Sequence, residues 1–305
     1  MIKITIDDEA RREIEEDYWN WFASKHLKKF KKRRIKNEVK IALFGKSSFN
    51  EEDIKMFLLA PPCKLHEIKE KIDKLENKNN TLVFSKMMKS IYKDYRKNMA
   101  SKIVRALKIK ICPYCNQNYI LSYDEESVIF TGEIDHFFAK STYTLLQICL
   151  YNLIPVCGTC NNLKGDKGVA INNPFDEDYS NRIIFKTNLE LKDYFDFMKL
   201  KSDQIKIVVD DSIAKEDDKN EKELFKLDKR YNGLQTEALM VIKRTNMYTK
   251  FYQKTLKQTG IDISDLKKSI IGYGVDDNQV SLSKFNRDIM NQFDKDARSI
   301  ADVKP

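Results

Sequence analysis

The chain has 305 residues, 42% hydrophobic and 33% charged, which excludes a disordered polypeptide and leaves room for one large domain or two to three small ones. A net charge of +9 and a pI near 9.0 point to a polyanionic partner, of which nucleic acid is the commonest. Met1–Asp8 carries no apolar core of signal-peptide length, and the most apolar stretch, Leu145–Cys157, is short and interrupted by Gln147 and Asn152, so a soluble, cytoplasmic protein with no membrane partner is expected.

Apolar residues roughly one turn apart (Ile14, Tyr18, Trp21, Phe22, Leu27, Phe30, Ile35) predict helix over residues 8–45. A basic run, Lys28–Arg34, is embedded there and reads equally as a solvated face or a phosphate-contacting patch. Pro61-Pro62 breaks the chain, and Asn77–Asn80 reads as a polar loop. A second helix is predicted over Leu82–Leu107, with Phe84, Met87, Met88, Ile91, Tyr95, Met99, Ile103 and Leu107 on one face. From Lys86 to Lys110 nine Lys or Arg stand against one acid, Asp94, which gives the other side of this helix the character of a DNA-facing surface.

Strands are expected over Tyr119–Tyr123 and Val128–Phe137, around a turn at Asp124–Ser127, and again over Leu153–Val156. A short helix is expected over Asn161–Lys167, strands over Arg182–Lys186 and Ile205–Val209, and mostly helix from Glu221 onward. In that tail Leu224, Phe225, Leu234, Leu239, Ile242 and Tyr248 are core candidates. The C-terminal third carries no functional signal.

Two Cys-x-x-Cys units, Cys112-Pro113-Tyr114-Cys115 and Cys157-Gly158-Thr159-Cys160, lie 41 residues apart. In a reducing compartment such pairs are expected to hold a metal rather than form disulfides. Four thiolates close a tetrahedral Zn²⁺ site with no open position for water, so that metal is structural. Cys63 and Cys149 are left over and read as small buried hydrophobes.

Between the knuckles stand Glu133-Ile134-Asp135-His136 and Asn152, and after them Asn161-Asn162-Leu163-Lys164. His136 is one of three histidines, and His26 and His66 read as helical residues without nearby acids. Hydrolysis of a phosphodiester needs a base for water, a divalent cation and stabilisation of the leaving oxygen. Neutral His136 suits the first, Asp135 offers a hard oxygen to Mg²⁺ or Mn²⁺, Asn161 offers an amide oxygen, and Lys164 shares its helix face and can meet a phosphate. In a strand Asp135 and His136 point apart, so they converge on one phosphate only if the strand bends or ends there.

This constellation resembles the HNH endonuclease family, whose fold is the ββα-metal or His-Me finger, in a zinc-stapled form. The resemblance implies that His136 is the general base, that Asp135 and Asn161 hold the catalytic metal, and that Asn152 holds the loop orienting the histidine. It further matches Lys164 to the lysine after the last ligand and Glu133 to the upstream acid. The third motif letter is Asn where many members carry His. Asn152 can also be read as a turn amide, and Asn162 can exchange roles with Asn161. The match covers residues 112–168. The phrases around Cys112, Asp135 and Asn152 are also similar to HNH subunits of bacterial anti-phage systems of the Septu kind, which implies a role in defence and an ATPase partner subunit.

The expected fold is therefore α+β, mainly helical with a central ββα-metal module stapled by four cysteines. Residues 1–108 form a helical region with basic faces, 109–175 the nuclease module and 176–305 a mostly helical region with short strands. The expected activity is divalent-metal-dependent cleavage of DNA. A zinc-supported nucleic-acid-binding or assembly module without catalysis, and RNA cleavage by the same site, are the alternatives.

Overall fold

The computed structural model describes residues 2–75, 82–124, 128–177, 179, 182–189, 199–247, 255, 258–260 and 276–293. The expectations for Asn77–Asn80, for most of the Asp124–Ser127 turn, and for the side chains of Phe84 and Tyr248 lie outside them. The chain divides into two compact units, one of Lys3–Tyr114 and Asn118–Ser180, the other of Met1–Ile2, Cys115–Gln117 and Asn181–Pro305. It is mainly helical, with short antiparallel strand pairs.

In the first unit, α1 (Asp8–Lys25) starts at Asp7, whose side chain accepts from the Ala10 N–H at 2.8 Å, with Asp8 and Glu9 in its positive first turn. The single helix expected over 8–45 is three: α1, α2 (Leu27–Lys31) and α3 (Asn37–Phe44). The first break falls at His26, whose Nε2 is 2.9 Å from Asp94 Oδ2 and whose ring packs edge-on to Trp21. This corrects the reading of His26 as a histidine without a nearby acid: the partner lies 68 residues along the chain. α3 ends at Gly45, whose φ of 73° suits a residue without Cβ.

α4 (Glu51–Leu58) opens with a capping box between Asn50 and Asp53. α5 (Pro62–Asp73) begins at Pro62, so the Pro61-Pro62 pair starts a helix as well as ending one. Its inner face is Pro62, Leu65, Ile68 and Ile72. Cys63 falls beside that stripe and is exposed, which overturns its reading as a buried hydrophobe, whereas Cys149 is fully buried. The helix expected over 82–107 is α6 (Leu82–Asn98) and α7 (Ala100–Ala106), broken at Met99 with no Gly or Pro to announce it.

β1 (Ser122–Asp124) and β2 (Val128–Phe130) form one hairpin. The strand expected over 128–137 does not continue through Gly132, where an added Cβ would sit 2.8 Å from the Val156 carbonyl oxygen. A separate strand, β3 (Glu133–His136), pairs with β4 (Leu153–Val156) in the register Glu133↔Val156, Asp135↔Ile154, His136↔Leu153. α8 (Gly158–Lys164) follows at once and packs on β3, completing a ββα unit.

In the second unit, β5 (Ile184–Thr187) and β6 (Ile207–Asp210) pair antiparallel. α9 (Glu216–Leu224), α10 (Leu227–Tyr231), α11 (Gln235–Met247) and α12 (Ser283–Phe293) follow. Its core stacks Phe185 on Tyr231 at 4.1 Å with Phe285 edge-on to Phe185. The side chain of Gln292 satisfies both the N–H and the C=O of Thr187, so α12 serves as the missing neighbour of β5. Tyr231 Oη donates to the Cys115 carbonyl at 2.6 Å, and fully buried Asn116 accepts from the Lys284 N–H at 3.0 Å. Asn116 has a φ of 50°, a conformation asparagine tolerates better than most residues.

Candidate functional site

The first knuckle is closed by backbone pairing. Ile111 bridges Tyr119, the Cys112 N–H donates to Asn118 O at 2.9 Å, and the Ile120 N–H donates to Lys110 O at 2.8 Å. The second pair sits where β4 ends: Cys157 is the residue before α8, and Cys160 lies in its first turn. These turns bring Cys112, Cys115, Cys157 and Cys160 together, all buried, with their sulfurs within 4.8 Å of one another. None of the four is in a disulfide. Four zinc–sulfur bonds of about 2.3 Å at tetrahedral angles require sulfurs about 3.8 Å apart, so the cluster suits a metal ion such as Zn²⁺. Asn118 Nδ2 donates to Cys157 Sγ at 3.3 Å, the kind of outer hydrogen bond that steadies a thiolate ligand.

β3 and α8 are tied by two rungs. Asn161 Nδ2 donates to Glu133 Oε2, and three residues on, Lys164 Nζ meets Asp135 at 3.1 Å (Oδ1) and 3.0 Å (Oδ2). Two residues along a strand keep the same face, and three along a helix nearly do, so alternate strand positions meet successive helix positions. Lys164 Nζ also donates to the His136 carbonyl at 2.7 Å, and Tyr114 Oη donates to Asp135 Oδ2 at 2.8 Å. Burial pushes the Asp135 carboxyl above the usual carboxylate range, against the opposing pull of Lys164 and Tyr114. Lys164 is buried and engaged inward, in place of the surface position expected of a lysine awaiting phosphate.

His136 ends β3 and faces other neighbours. Its ring lies 4.5 Å from that of Tyr92 on α6, and its Nε2 is 3.2 Å from the Gln147 carbonyl oxygen. A carbonyl only accepts, so Nε2 carries the proton and Nδ1 presents its lone pair in the neutral ring. Burial, reinforced by Lys140, lowers the pKa of His136 to about 3, so the imidazole is neutral at physiological pH.

Asn152, wholly buried, holds the segment between β3 and β4. Its Oδ1 accepts from the Phe138 N–H at 2.7 Å, and its Nδ2 donates to Leu146 O at 3.0 Å and Phe138 O at 3.4 Å. The amide therefore does more than close a turn: it links both ends of the loop that delivers Gln147 to His136.

The structure thus brings Glu133 to Asn161 and Asp135 to Lys164, and sets His136 beside them with Asn152 beneath its loop. Among the described residues, no group of three or more His, Cys, Asp or Glu other than the four cysteines has ligand atoms this close together. Sequence reasoning passed over Tyr114, Tyr92 and Gln147. Tyr114 sits inside the first knuckle, and Gln147 is a polar residue inside an apolar run, which is itself a signal of a buried polar role. No family model, curated protein or solved structure matches this chain. Among the described residues, no helix is long and apolar enough to cross a membrane.

Proposed function

We propose that the chain is a divalent-metal-dependent endonuclease of the HNH kind, cleaving DNA phosphodiester bonds, with a structural Zn²⁺ on the four cysteines. The observation that carries this reading is His136: an imidazole at the end of β3 whose Nε2–H is committed to the Gln147 carbonyl, which leaves the Nδ1 lone pair as the acceptor for a proton from water. Asn152 and Tyr92 fix the loop and the ring, so the base is set in place before substrate arrives.

The oxygens on the two rungs are of the kind a hard cation takes. Asn161 spends its Nδ2 on Glu133, which leaves Oδ1 as the amide oxygen for Mg²⁺ or Mn²⁺, and Asp135 supplies a carboxylate on the neighbouring rung. Such a cation neutralises charge on the scissile phosphate and the departing oxygen. Lys164, bonded to both Asp135 and the His136 carbonyl, holds the acid and the base residue in one frame. The resemblance to HNH subunits of anti-phage systems extends the proposal to a defence role beside an ATPase partner.

The test is cleavage of supercoiled plasmid with Mg²⁺ or Mn²⁺, with and without an ATPase encoded beside this chain. His136→Ala is expected to abolish nicking under the condition in which wild type cuts. Equal cutting by both proteins would overturn the mechanism. One observation favours a second reading, a zinc-supported binding module without catalysis: both Asp135 oxygens are already engaged by Lys164 and Tyr114. That reading expects salt-sensitive DNA binding and no cleavage under any divalent ion or partner.

A further inference from the structure

Two basic runs more than fifty residues apart in sequence meet in the first unit. Lys29 on α2, Lys32 and Arg33 just past its end, and Lys86, Met87 and Ser90 on α6 line one cleft of about 590 Å³. The four cations are exposed, and no carboxylate lines the cleft. None of the four has an ion pair or side-chain hydrogen bond among the described residues, whereas their neighbour Lys31 is paired with Glu51 at 2.7 Å. The one acid in the basic stretch of α6, Asp94, is turned to Trp21, His26 and Asn98. Uncompensated like charges repel one another, so a surface that keeps four together is suited to an anionic occupant.

The form of the cleft argues for a polymer. Sites for small anions converge a few enclosed donors on one point, but here exposed cations are spread over α6, α2 and the turn after α2, as sequence-independent backbone contacts require. α6 also connects the cleft to the candidate site. Tyr92 stands six positions after Lys86, about 9 Å along the helix axis and about 120° around it, so α6 borders the cleft with one side and His136 with another. The Tyr92 ring lies 4.5 Å from that of His136 and has Lys140 Nζ 5.7 Å from its centroid.

We infer that this cleft binds the sugar–phosphate backbone of a nucleic acid strand whose scissile phosphate is the substrate of the candidate site. That last link rests on the nuclease reading; the binding itself does not.

The experiment is fluorescence anisotropy of a short labelled DNA duplex with no divalent ion added, over about 50–200 mM salt. Each phosphate contact contributes about 0.9 to the slope of log K against log salt, so K29Q/K32Q/K86Q is expected to lower the slope by about 3. K206Q/K219Q/K229Q, which removes three exposed lysines of the second unit, is expected to bind with the wild-type slope. A wild-type slope in the first triple, or an equal fall in the second, would overturn the inference. Zinc content and melting temperature report whether each triple is folded. If the first is not, R33Q and K86Q singly carry the test, with an expected fall of about 1 each. A His136→Ala protein that cuts like wild type would remove the nuclease reading and leave this binding result standing.

Discussion

Lys164 Nζ and Asp135 Oδ2 lie 3.0 Å apart with both side chains buried, and the same amine reaches the His136 carbonyl at 2.7 Å. Removing one partner of such a pair strands the other charge, which typically costs about 3–5 kcal/mol, while removing both costs much less. Lys164→Met is therefore expected to destabilise the protein by that amount, and K164M/D135N to recover at least half of the loss. Urea denaturation of the four proteins closes the cycle; additive losses would show that the two side chains do not act as a pair.

The cysteine cluster is expected to hold one Zn²⁺ per chain. Cys160→Ser removes a ligand at the start of α8 and is expected to yield metal-poor protein with a lower melting temperature, since binding at such sites is folding free energy. Metal released on denaturation, counted with a chromogenic chelator, checks the stoichiometry. Full zinc retention by Cys160→Ser would remove that cysteine from the ligand set.

Asn152→Ala deletes three hydrogen bonds to backbone groups of the Phe138–Leu146 loop, the one at Leu146 buried and the two at Phe138 part-buried. At about 1 kcal/mol each, a loss of roughly 3 kcal/mol is expected. If the loop positions His136 through Gln147, cleavage is expected to fall through kcat more than KM. Hydrogen exchange at the Phe138 amide should quicken in the variant.

The pH dependence follows from His136, whose pKa is lowered to about 3 by burial while the unfolded chain titrates near 6.5. The unfolded state binds a proton that the folded state refuses, so the stability linked to this group is complete above about pH 6.5. It erodes as the pH falls towards 3, by up to about 1.4 kcal/mol per pH unit. His136→Gln should lack this component. Comparing urea midpoints of the two proteins at pH 7.5 and 5 isolates it, because protonation of the four clustered cysteines is common to both. Parallel pH curves would show that His136 is not held neutral.

Much of the site was legible because its parts are local. β4 occupies the residues its apolar run announced, and the Cys-x-x-Cys spacing brought the four sulfurs into one cluster. What escaped was long-range partnership. Tyr114 reaches Asp135 across 21 residues, His26 reaches Asp94 across 68, and Tyr92 meets His136 from a helix that ends well before β3 begins. Periodicity tells which face of an element is buried, not which distant side chain will cover it. The helix breaks at His26 and Met99 were hidden for the same reason: neither carries a Gly or Pro, and the His26 break accompanies tertiary contacts of that side chain.

The cysteine cluster also has a topological meaning. Its two knuckles join chain segments with 41 residues between Cys115 and Cys157, and that interval holds Asp135, His136, Gln147 and Asn152. A bound ion cross-links this interval into a ring, and opening the ring would return to the whole stretch the freedom that closure removes. His136, the Gln147 carbonyl that sets its tautomer and the Asn152 amide that holds their loop would then be loosened together, so one coordination event would govern them as a set.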